Sequence, residues 1–395
     1  MHLTDFLEPL DSAVRQPDSK SHPLMLGNFI RTHTTQKGFP DLSHVDLAIF
    51  GVTEDRNSAE NEGCSLAPDY IRKHLYRLYQ GPFDTRIADL GNVRAGDQVS
   101  DTYFAVKTIV ANLLEQNITP VILGGSQDIT YANYQAYESL GQIINIVSAD
   151  SRFDIGMNKD EALSHRNYLS KILTHKPNYL FNYANIGYQT YFVDQDAIEL
   201  MDKLYFDAYR LGEVRHNMEE VEPVVRNADL FSFDISSIRQ SDAPGCSFAS
   251  PNGFYGEEAC QIVRYAGLSD KLSSIGFYET NPAFDNGEQT AHLVAQMVWY
   301  FIDGFYHRKH DYPDKHIKDS RAFIKYVVSI RDFQNKINFY KSKKSNRWWM
   351  EVPCPPNLQR KYQRQFLIPC SYKDYQEACQ NEIPEKWWQV YQKFV

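Results

Sequence analysis

The strongest constraint on the fold is an alternation of short apolar segments with segments that read as helices. Six apolar segments read VDLAIFGV (45–52), PVILGG (120–125), QIINIVSAD (142–150), NIGYQ (185–189), ADLFSFD (228–234) and SSIGFYE (273–279). They are nearly continuous apolar runs, as expected of strands buried on both faces. Helices are predicted between them, notably over 101–117, 256–267 and 289–306. This alternation predicts a three-layer α/β/α fold with a mostly parallel sheet.

Composition and local signals exclude several classes of protein. The chain has 395 residues, of which 43% are hydrophobic and 23% charged, which is typical of a globular protein. The amino terminus has no basic start followed by an apolar core, so we predict no signal peptide. The longest apolar stretch, TAHLVAQMVWYFIDGFYH, contains His292, Gln296 and Asp303 and favours a buried helix over a membrane span. Six scattered cysteines without a CxxC motif predict free thiols and a cytoplasmic location.

The carboxyl-terminal part of the chain differs from the rest. We divide the chain into an N-terminal segment packed on the core (1–44), an α/β domain (45–309) and a basic, tryptophan-rich extension (310–395). In the extension, KINFYKS and RWWMEV predict a β-hairpin, and PEKWWQVYQKF (384–394) predicts a closing helix. Residues 307–364 contain 15 Lys or Arg against 5 Asp or Glu, although the whole chain has a formal net charge of −9. This basic segment is either a solvated face or a surface for a protein partner or self-association. It carries no nucleic-acid-binding motif.

Polar side chains follow four of the predicted strands at the points where those strands end. The segments GGSQD, ADSRFD, SFDISSIRQSDAPG and YETNPAFD supply Gln127, Asp128, Asp150, Arg152, Asp154, Asp234, Ser236, Glu279 and Asp285. Open α/β sheets place their sites at the carboxyl ends of the strands. At any single strand end, a helix cap or a loop salt bridge explains such residues equally well. Four strand ends in succession favour a carboxylate cluster at one edge of the sheet.

Together these segments resemble the ureohydrolase family, which contains arginase, agmatinase and formimidoylglutamase. The resemblance extends from about Val45 to Gly304. GCSLAPDYIRKHL is similar to the family's Gly-x-x-x-x-Pro-x-x-Ile-Arg segment, and DLGNV to its Asp-Leu-Gly-Asp-Val strand. GGSQD stands where the family has Gly-Gly-Asp-His-Ser, and DSRFD where it has Asp-Ala-His-x-Asp. SFDISSIRQSDAPG matches the spacing of Ser-x-Asp-x-Asp-x-x-Asp-Pro-x-x-x-Pro-Gly, and ETNPAFD resembles Glu-x-Asn-Pro-x-x-Asp. The matching order implies an arginase-like fold.

The resemblance also implies a chemistry, in which a hydroxide bridging two Mn²⁺ ions attacks an amidine or guanidine carbon. The family uses six His or Asp ligands. When these ligands are carried over by position, three aspartates are retained, namely Asp150, Asp154 and Asp234. The other three ligands are replaced by Gln127, Arg152 and Ser236. The main expectation is therefore that no metal binds. The alternative is a single Mn²⁺ held by the three aspartates and Gln127, and Asp128 would be a ligand if its loop shifted by one residue.

Arginine at a metal-ligand position suggests a substitute for the second metal. We expect the Arg152 guanidinium to neutralise Asp150 and Asp234, since buried carboxylates without a counter-charge are costly. By the same resemblance, Glu279 would hold the substrate's amidine or guanidinium group, or would pair with Arg152 instead. His165 falls in the loop with which the family orients its substrate, although an incidental loop histidine is the alternative.

Three functions follow from these residues. The main prediction is a catalytically degenerate ureohydrolase-fold protein that lacks binuclear manganese hydrolysis and acts as a scaffold or interaction protein. The first alternative is a formimidoylglutamase-like hydrolase of amidine C–N bonds that uses a single metal. The second alternative is a sensor that keeps the pocket for a small ligand but not the chemistry.

Overall fold

The structure is a computed structural model. The larger of the two sheets in its described residues is mostly parallel. Residues 2–11, 14, 22–156, 161–313, 321–331 and 336–395 are described. The strands of this sheet are β1 (Leu7–Glu8), β2 (Arg31–Thr32), β3 (Leu47–Val52), β4 (Ile87–Val93), β5 (Thr119–Leu123), β6 (Ile144–Ala149), β7 (Leu180–Tyr188), β8 (Asp207–Arg210), β9 (Leu230–Asp234) and β10 (Ser274–Tyr278). Their order is β1-β4-β3-β5-β10-β9-β6-β7-β8, with β2 beside β4, and only the β1–β4 pair is antiparallel. The predicted fold class is confirmed.

Helices connect the strands, as the alternation predicted. In the described core they cover Ala67–Leu75, Val99–Glu115, Ile129–Ser139, Tyr168–Thr174, Gln195–Lys203, Leu211–His216, Val221–Arg226, Gly256–Leu268 and Gln289–Tyr306. The helix predicted from residue 101 begins two residues earlier. Gln98 is its N-cap, and the Asp101 carboxylate accepts the Gln98 backbone N–H at 2.9 Å. No helix in the described ranges is both long and apolar enough to cross a membrane.

Both faces of the sheet are covered, which explains the continuous apolar strands. Every residue of β3, β5, β6, β9 and β10 is buried. Neighbouring side chains on one strand belong to different hydrophobic clusters, since Ile49 packs in one and Phe50 in the other. Val121 and Ile122 divide in the same way. This alternation places helices on both sides of a buried sheet, which is a three-layer arrangement.

The carboxyl-terminal part of the chain forms a second sheet, which is antiparallel. It contains β11 (Phe323–Ser329), β12 (Lys336–Ser342), β13 (Trp348–Glu351) and β14 (Leu367–Cys370), followed by helices Tyr372–Cys379 and Glu385–Phe394. The predicted hairpin corresponds to β12 and β13, which pair with Lys341 opposite Trp348. The extension is therefore larger than the hairpin and single helix expected from the sequence. Pro384 is the N-cap of the last helix rather than its first residue.

The antiparallel sheet packs against the amino-terminal ends of the core strands. Arg226 lies over the Trp349 ring, 4.4 Å from its centroid, and donates to the Trp348 carbonyl at 3.2 Å. Asp229, just before β9, accepts a hydrogen bond from Arg364 at 2.6 Å. Lys271, just before β10, lies 3.7 Å from Asp229 and is fully buried. The extension thus lies at the edge of the core sheet opposite to the predicted site.

Some of the basic residues in 307–364 face the core. Arg347 pairs with Glu222 at 3.1 Å, and Arg364 pairs with Asp229 at 2.6 Å. Part of the positive charge predicted for a docking surface is therefore used inside the protein.

All six cysteines are free thiols.

Candidate active site

Three aspartates meet at the carboxyl ends of β6 and β9. Asp150 directly follows β6, Asp154 lies four residues further on, and Asp234 is the last residue of β9. The two strands are parallel neighbours with Ala149 opposite Phe233, so Asp150 and Asp234 leave the sheet at the same level. One carboxylate oxygen from each aspartate lies within 4.8 Å of the other two, and all three residues are buried. We call these three residues the aspartate cluster.

Burial makes the aspartate cluster hard to ionise. It raises the pKa of Asp154 and of Asp234 to about 7. For Asp150, burial and then repulsion from the other two carboxylates raise the pKa well above its usual range. Mutually repelling buried carboxyl groups hold protons near neutral pH unless a cation replaces them. The cluster is therefore suited to exchanging protons for a metal ion.

The oxygen atoms around the aspartate cluster fit one divalent cation. The Gln127 amide donates through Nε2 to Ser232 Oγ at 3.0 Å, which orients the amide plane. Gln127 Oε1, Asp150 Oδ2 and Asp154 Oδ2 are buried and have no hydrogen-bond partner among the described residues. Buried acceptors without donors are unfavourable, and an oxygen-rich ligand set suits Mn²⁺ or Mg²⁺. The residues present thus fit a cation held by the aspartate cluster and Gln127.

Arg152 does not lie where we expected it. Its guanidinium stacks on Phe192, 4.4 Å from the ring centroid, and its Nη1 donates to the Phe192 carbonyl at 3.2 Å. Only its backbone N–H contacts the aspartate cluster, donating to Asp150 Oδ1 at 2.8 Å. Within the described residues Arg152 forms no ion pair, so the expected neutralisation of Asp150 and Asp234 is not observed. The Phe192 ring and carbonyl bind the guanidinium where it stays partly hydrated, which avoids the cost of burying it.

Two other predicted residues lie beside the aspartate cluster. The Ser236 backbone N–H donates to Asp234 Oδ1 at 2.6 Å, so this residue contributes a neutral donor where the family has a carboxylate. Asp128 is turned away and accepts hydrogen bonds from the Tyr103 hydroxyl and from Asn57 Nδ2, the latter at 3.2 Å. Among the described residues, the group placed to hold a metal does not include Asp128. The loop shift that would make Asp128 a ligand is not observed.

Glu279 is buried directly after β10 and is held by neutral donors. Its carboxylate accepts hydrogen bonds from Ser58 Oγ, Asn61 Nδ2 and the Gln127 backbone N–H, each at 2.7 Å. The alternative pairing with Arg152 is not observed. Burial raises the pKa of Glu279 to about 7 despite these donors. Ser58 and Asn61 were not identified from the sequence, although the polar run TEDRNSAENEG after β3 was a signal that could have found them.

His165 is fixed at the rim by contacts on both ring nitrogens. Its Nδ1 lies 3.0 Å from the Asn57 carbonyl, and its Nε2 accepts a hydrogen bond from Arg166 Nε at 3.1 Å. A carbonyl only accepts, so Nδ1 carries the proton and Nε2 the lone pair. The ring also stacks on Phe248 at a centroid distance of 5.1 Å. These contacts define one tautomer and one orientation for His165.

The backbone at the site has a positive φ at four positions, and two of these residues, Asp154 and Glu279, are strained by it. Asp154 and Glu279 have φ values of 52° and 66°, in the left-handed region that side chains disfavour. Gly124 and Gly125 have φ values of 71° and 78° and turn the chain from β5 toward Gln127. A Cβ at Gly125 would lie 2.9 Å from the Glu54 backbone carbonyl oxygen, and the positive φ disfavours a side chain there, so the turn requires glycine. Strain of this kind concentrates at functional sites.

Known proteins that are similar to this chain belong to one family. A sequence model of the Arginase family matches residues 45–303. The chain belongs to the arginase family. A formimidoylglutamase from Staphylococcus aureus (strain MRSA252) is 27% identical over 304 residues, covering 72% of this chain and 95% of that protein. A formimidoylglutamase from Bacillus subtilis (strain 168) is 24% identical over 276 residues, covering 65% of this chain and 86% of that protein.

Solved structures show the same fold. The formimidoylglutamase structure from Bacillus subtilis matches with a TM-score of 0.66 at 19% identity, covering 78% of this chain and 98% of that chain. A formiminoglutamase from Trypanosoma cruzi, solved with Mn²⁺, matches with a TM-score of 0.63 at 20% identity, covering 68% and 96%. At this identity the likeness establishes the arginase-like fold, and the Trypanosoma cruzi structure contains Mn²⁺.

Proposed function

We propose that this arginase-family protein is a formimidoylglutamase-like hydrolase of amidine C–N bonds that uses a single divalent metal ion. The observation that carries this proposal is the buried aspartate cluster, whose unpaired oxygens lie on the same sheet edge as buried Glu279. The names of the relatives support the same reaction class. This was the first alternative of the sequence prediction.

A single ion is proposed because Arg152 and Ser236 occupy the two positions at which the family holds a second metal ion. Arg152 has only donor nitrogens, and the Ser236 hydroxyl is a weak neutral ligand. The retained set is the aspartate cluster with Gln127, and its oxygens suit Mn²⁺. When bound there, the ion would lower the pKa of a coordinated water molecule and so supply a nucleophile.

Glu279 would bind the positively charged amidinium group of the substrate. Its three donors are neutral, and no described cation pairs with its carboxylate. Because burial raises its pKa to about 7, an approaching cation would favour the ionised form. Ser58 and Asn61 would then hold the carboxylate in one orientation. His165, held by Asn57 and Arg166, would shape the rim around the substrate.

The test is a metal and turnover measurement on protein purified without chelator. We expect about one equivalent of Mn or Zn per chain, and release of formamide or ammonia from N-formimino-L-glutamate. Asp234→Asn should lose both properties, whereas Glu115→Gln, at an exposed helix end, should keep both. Protein that binds less than about half an equivalent and shows no turnover with added Mn²⁺ would refute the proposal.

A noncatalytic protein is the second candidate, because Arg152 and Ser236 stand where the family has metal ligands. Such a protein would act as a scaffold or as a small-ligand sensor. Exposed Lys325, Lys343 and Lys344 would provide the positive charge for docking an acidic partner or a second copy. Metal-free protein that still captures a partner, and loses it when all three lysines are changed to glutamine, would favour the scaffold.

A further inference from the structure

The antiparallel sheet of the extension has one open edge. The strand order β11-β12-β13-β14 makes β11 and β14 the two edge strands. Every residue of β14 is buried, and the Cys370 carbonyl accepts a hydrogen bond from Arg226 of the core at 3.4 Å, so that edge is closed. In β11, by contrast, Ile324 and Val327 are 41% and 53% exposed. An edge strand with exposed apolar side chains can pair with a further strand.

The hydrogen bonds beside β11 show which of its backbone groups point away from the sheet. At the end of β12, the Ser342 N–H donates to the Arg347 carbonyl at 2.9 Å, on the side away from β11. The next N–H, of Lys343, donates to the Ala322 carbonyl at 2.9 Å, on the side of β11. Because backbone groups alternate along a strand, alternate residues of β11 bond to β12 and the others point outward. The outward residues are Phe323, Lys325, Val327 and Ser329.

We call these four residues the outward row. Among the described residues, none forms a hydrogen bond with the outward N–H or C=O groups of this row. Each residue of the row offers one donor and one acceptor, and successive members lie about 6.8 Å apart. An extended peptide can bind such a row as a further strand of the sheet. A nucleic acid backbone would use the N–H groups and leave the carbonyl groups unpaired, so the row favours a peptide.

Positive charge surrounds the outward row. Residues 323–329 and 336–347 include six Lys or Arg and no Asp or Glu. Three of the lysines, Lys325, Lys336 and Lys343, are exposed and form no ion pair within the described residues. Like charges on neighbouring strands repel, so a second copy paired through β11 would bring two basic surfaces together. An acidic strand would neutralise this charge instead.

We propose that β11 binds an acidic, extended segment of a partner protein as a fifth strand of this sheet. Backbone hydrogen bonds to the outward row would supply affinity, and carboxylates opposite Lys325 would select the acidic segment. Ile324 and Val327 would contact apolar side chains of the same segment. The recognised segment then mixes acidic and apolar residues over seven positions, the length of β11. This inference goes beyond the proposed hydrolase and does not depend on it, because no residue of the outward row belongs to the candidate site.

Fluorescence anisotropy with the full-length protein and a probe peptide tests this assignment. The acidic probe is Glu-Val-Glu-Val-Thr-Val-Glu-amide with fluorescein at its amino terminus, and Lys replaces each Glu in the basic counterpart. A third peptide keeps the acidic sequence but carries N-methyl groups on its three central residues, which block backbone hydrogen bonds on both of its edges. We expect the acidic probe to bind at least about tenfold more tightly than either of the others. Its affinity should also fall when NaCl rises from about 50 to 200 mM.

Variants of β11 locate the binding. Val327→Pro removes an outward N–H that the fold does not use, and Lys325→Glu keeps every backbone group but reverses one charge. Each should weaken binding of the acidic probe by at least about tenfold, with an unchanged circular dichroism spectrum. Lys37→Glu, at an exposed lysine of the N-terminal segment, is the matched control and should change the affinity by less than about twofold. If Val327→Pro does not fold, Lys325→Glu and the N-methylated peptide decide the question.

Four results would overturn the proposal. The first is failure of the wild type to bind the acidic probe at about 1 mM. The second is equal binding of the acidic and N-methylated peptides, which would mean attraction by charge alone. The third is a dimer in sedimentation velocity that Val327→Pro dissociates, which would assign the edge to a second copy. The fourth is a thymidine oligonucleotide that displaces the probe and binds Val327→Pro as tightly as the wild type, which would assign the charge to nucleic acid.

Discussion

Raising the pH of the metal-free protein from 5 to 7.5 should lower its free energy of unfolding. Asp154 and Asp234 have folded pKa values of about 7, whereas an unfolded aspartate titrates near about 3.9. Between these values the folded state holds more protons than the unfolded state, so stability falls as the pH rises. For one such group the linkage relation gives about 2.5 kcal/mol over this interval. The pKa values of Asp150 and Glu279 are raised as well, so these groups add to the fall. Because the groups interact, we expect a total of at least about 2.5 kcal/mol.

Urea unfolding after dialysis against a chelator measures this fall at pH 5, 6, 6.75 and 7.5. Asp234→Asn removes one titrating group, so the fall should shrink by about 2.5 kcal/mol, while exposed Glu115→Gln should leave it unchanged. Mn²⁺ at about 100 times its dissociation constant should add about 2.7 kcal/mol at pH 7.5, because the cation takes the place of the protons. Identical pH profiles for the wild type and Asp234→Asn would refute the account of the aspartate cluster.

Three further predictions concern single positions or small groups. Changing Gln127→His, Arg152→His and Ser236→Asp together should raise bound Mn²⁺ from about one to about two equivalents by elemental analysis, because the missing ligands return. Glu279→Gln should keep the bound metal but weaken binding of N-formimino-L-glutamate by about 10- to 100-fold in calorimetric titration, since the counter-charge of the amidinium is lost. Asp229→Asn should lower the free energy of unfolding by about 3–5 kcal/mol in urea, because buried Lys271 loses its charged partner.

Each of these has its own control and contrary result. Arg152→His alone should not add a second metal equivalent, and a triple variant that gains none would contradict the assignment of ligand positions. Loss of metal from Glu279→Gln would mean that Glu279 contributes to the metal site itself. Glu199→Gln breaks an exposed ion pair with Lys203 and should change stability by less than about 0.5 kcal/mol, so an equally small effect of Asp229→Asn would contradict its buried role.

Much of the core fold could be predicted because its central strands are buried on both faces. The predicted ends of β3, β5, β6, β9 and β10 agree with the structure to within two residues. Strand positions are harder to predict from the sequence where one face of the strand is polar. The start of β7, LFNYA, interrupts its apolar residues with Asn182, and the edge strand β8, DAYR, has no apolar run. β14, LIPC, is short and contains proline. Such segments depend on tertiary contacts more than on local pattern.

The candidate site residues could also be predicted from the sequence, but the directions of their side chains could not. Motif spacing placed Asp150 and Asp234 at one sheet edge because parallel strands bring their ends together. The direction of the Arg152 side chain depends on Phe192, which lies 40 residues further along the chain. Two of the three donors that hold Glu279, Ser58 and Asn61, come from more than 200 residues earlier in the chain. The buried aspartates favour a nearby counter-charge, but the Phe192 ring and carbonyl compete for the Arg152 guanidinium.

The attachment of the antiparallel sheet to the amino-terminal edge of the core sheet has an evolutionary consequence. Substitutions in the loops after β6 and β9 can alter or remove chemistry without touching Asp229 or Lys271, which hold the two sheets together. Natural selection can therefore act on the two ends of the molecule independently. Among relatives that share this extension, we expect ligand positions to vary while the Arg226, Asp229 and Lys271 contacts persist.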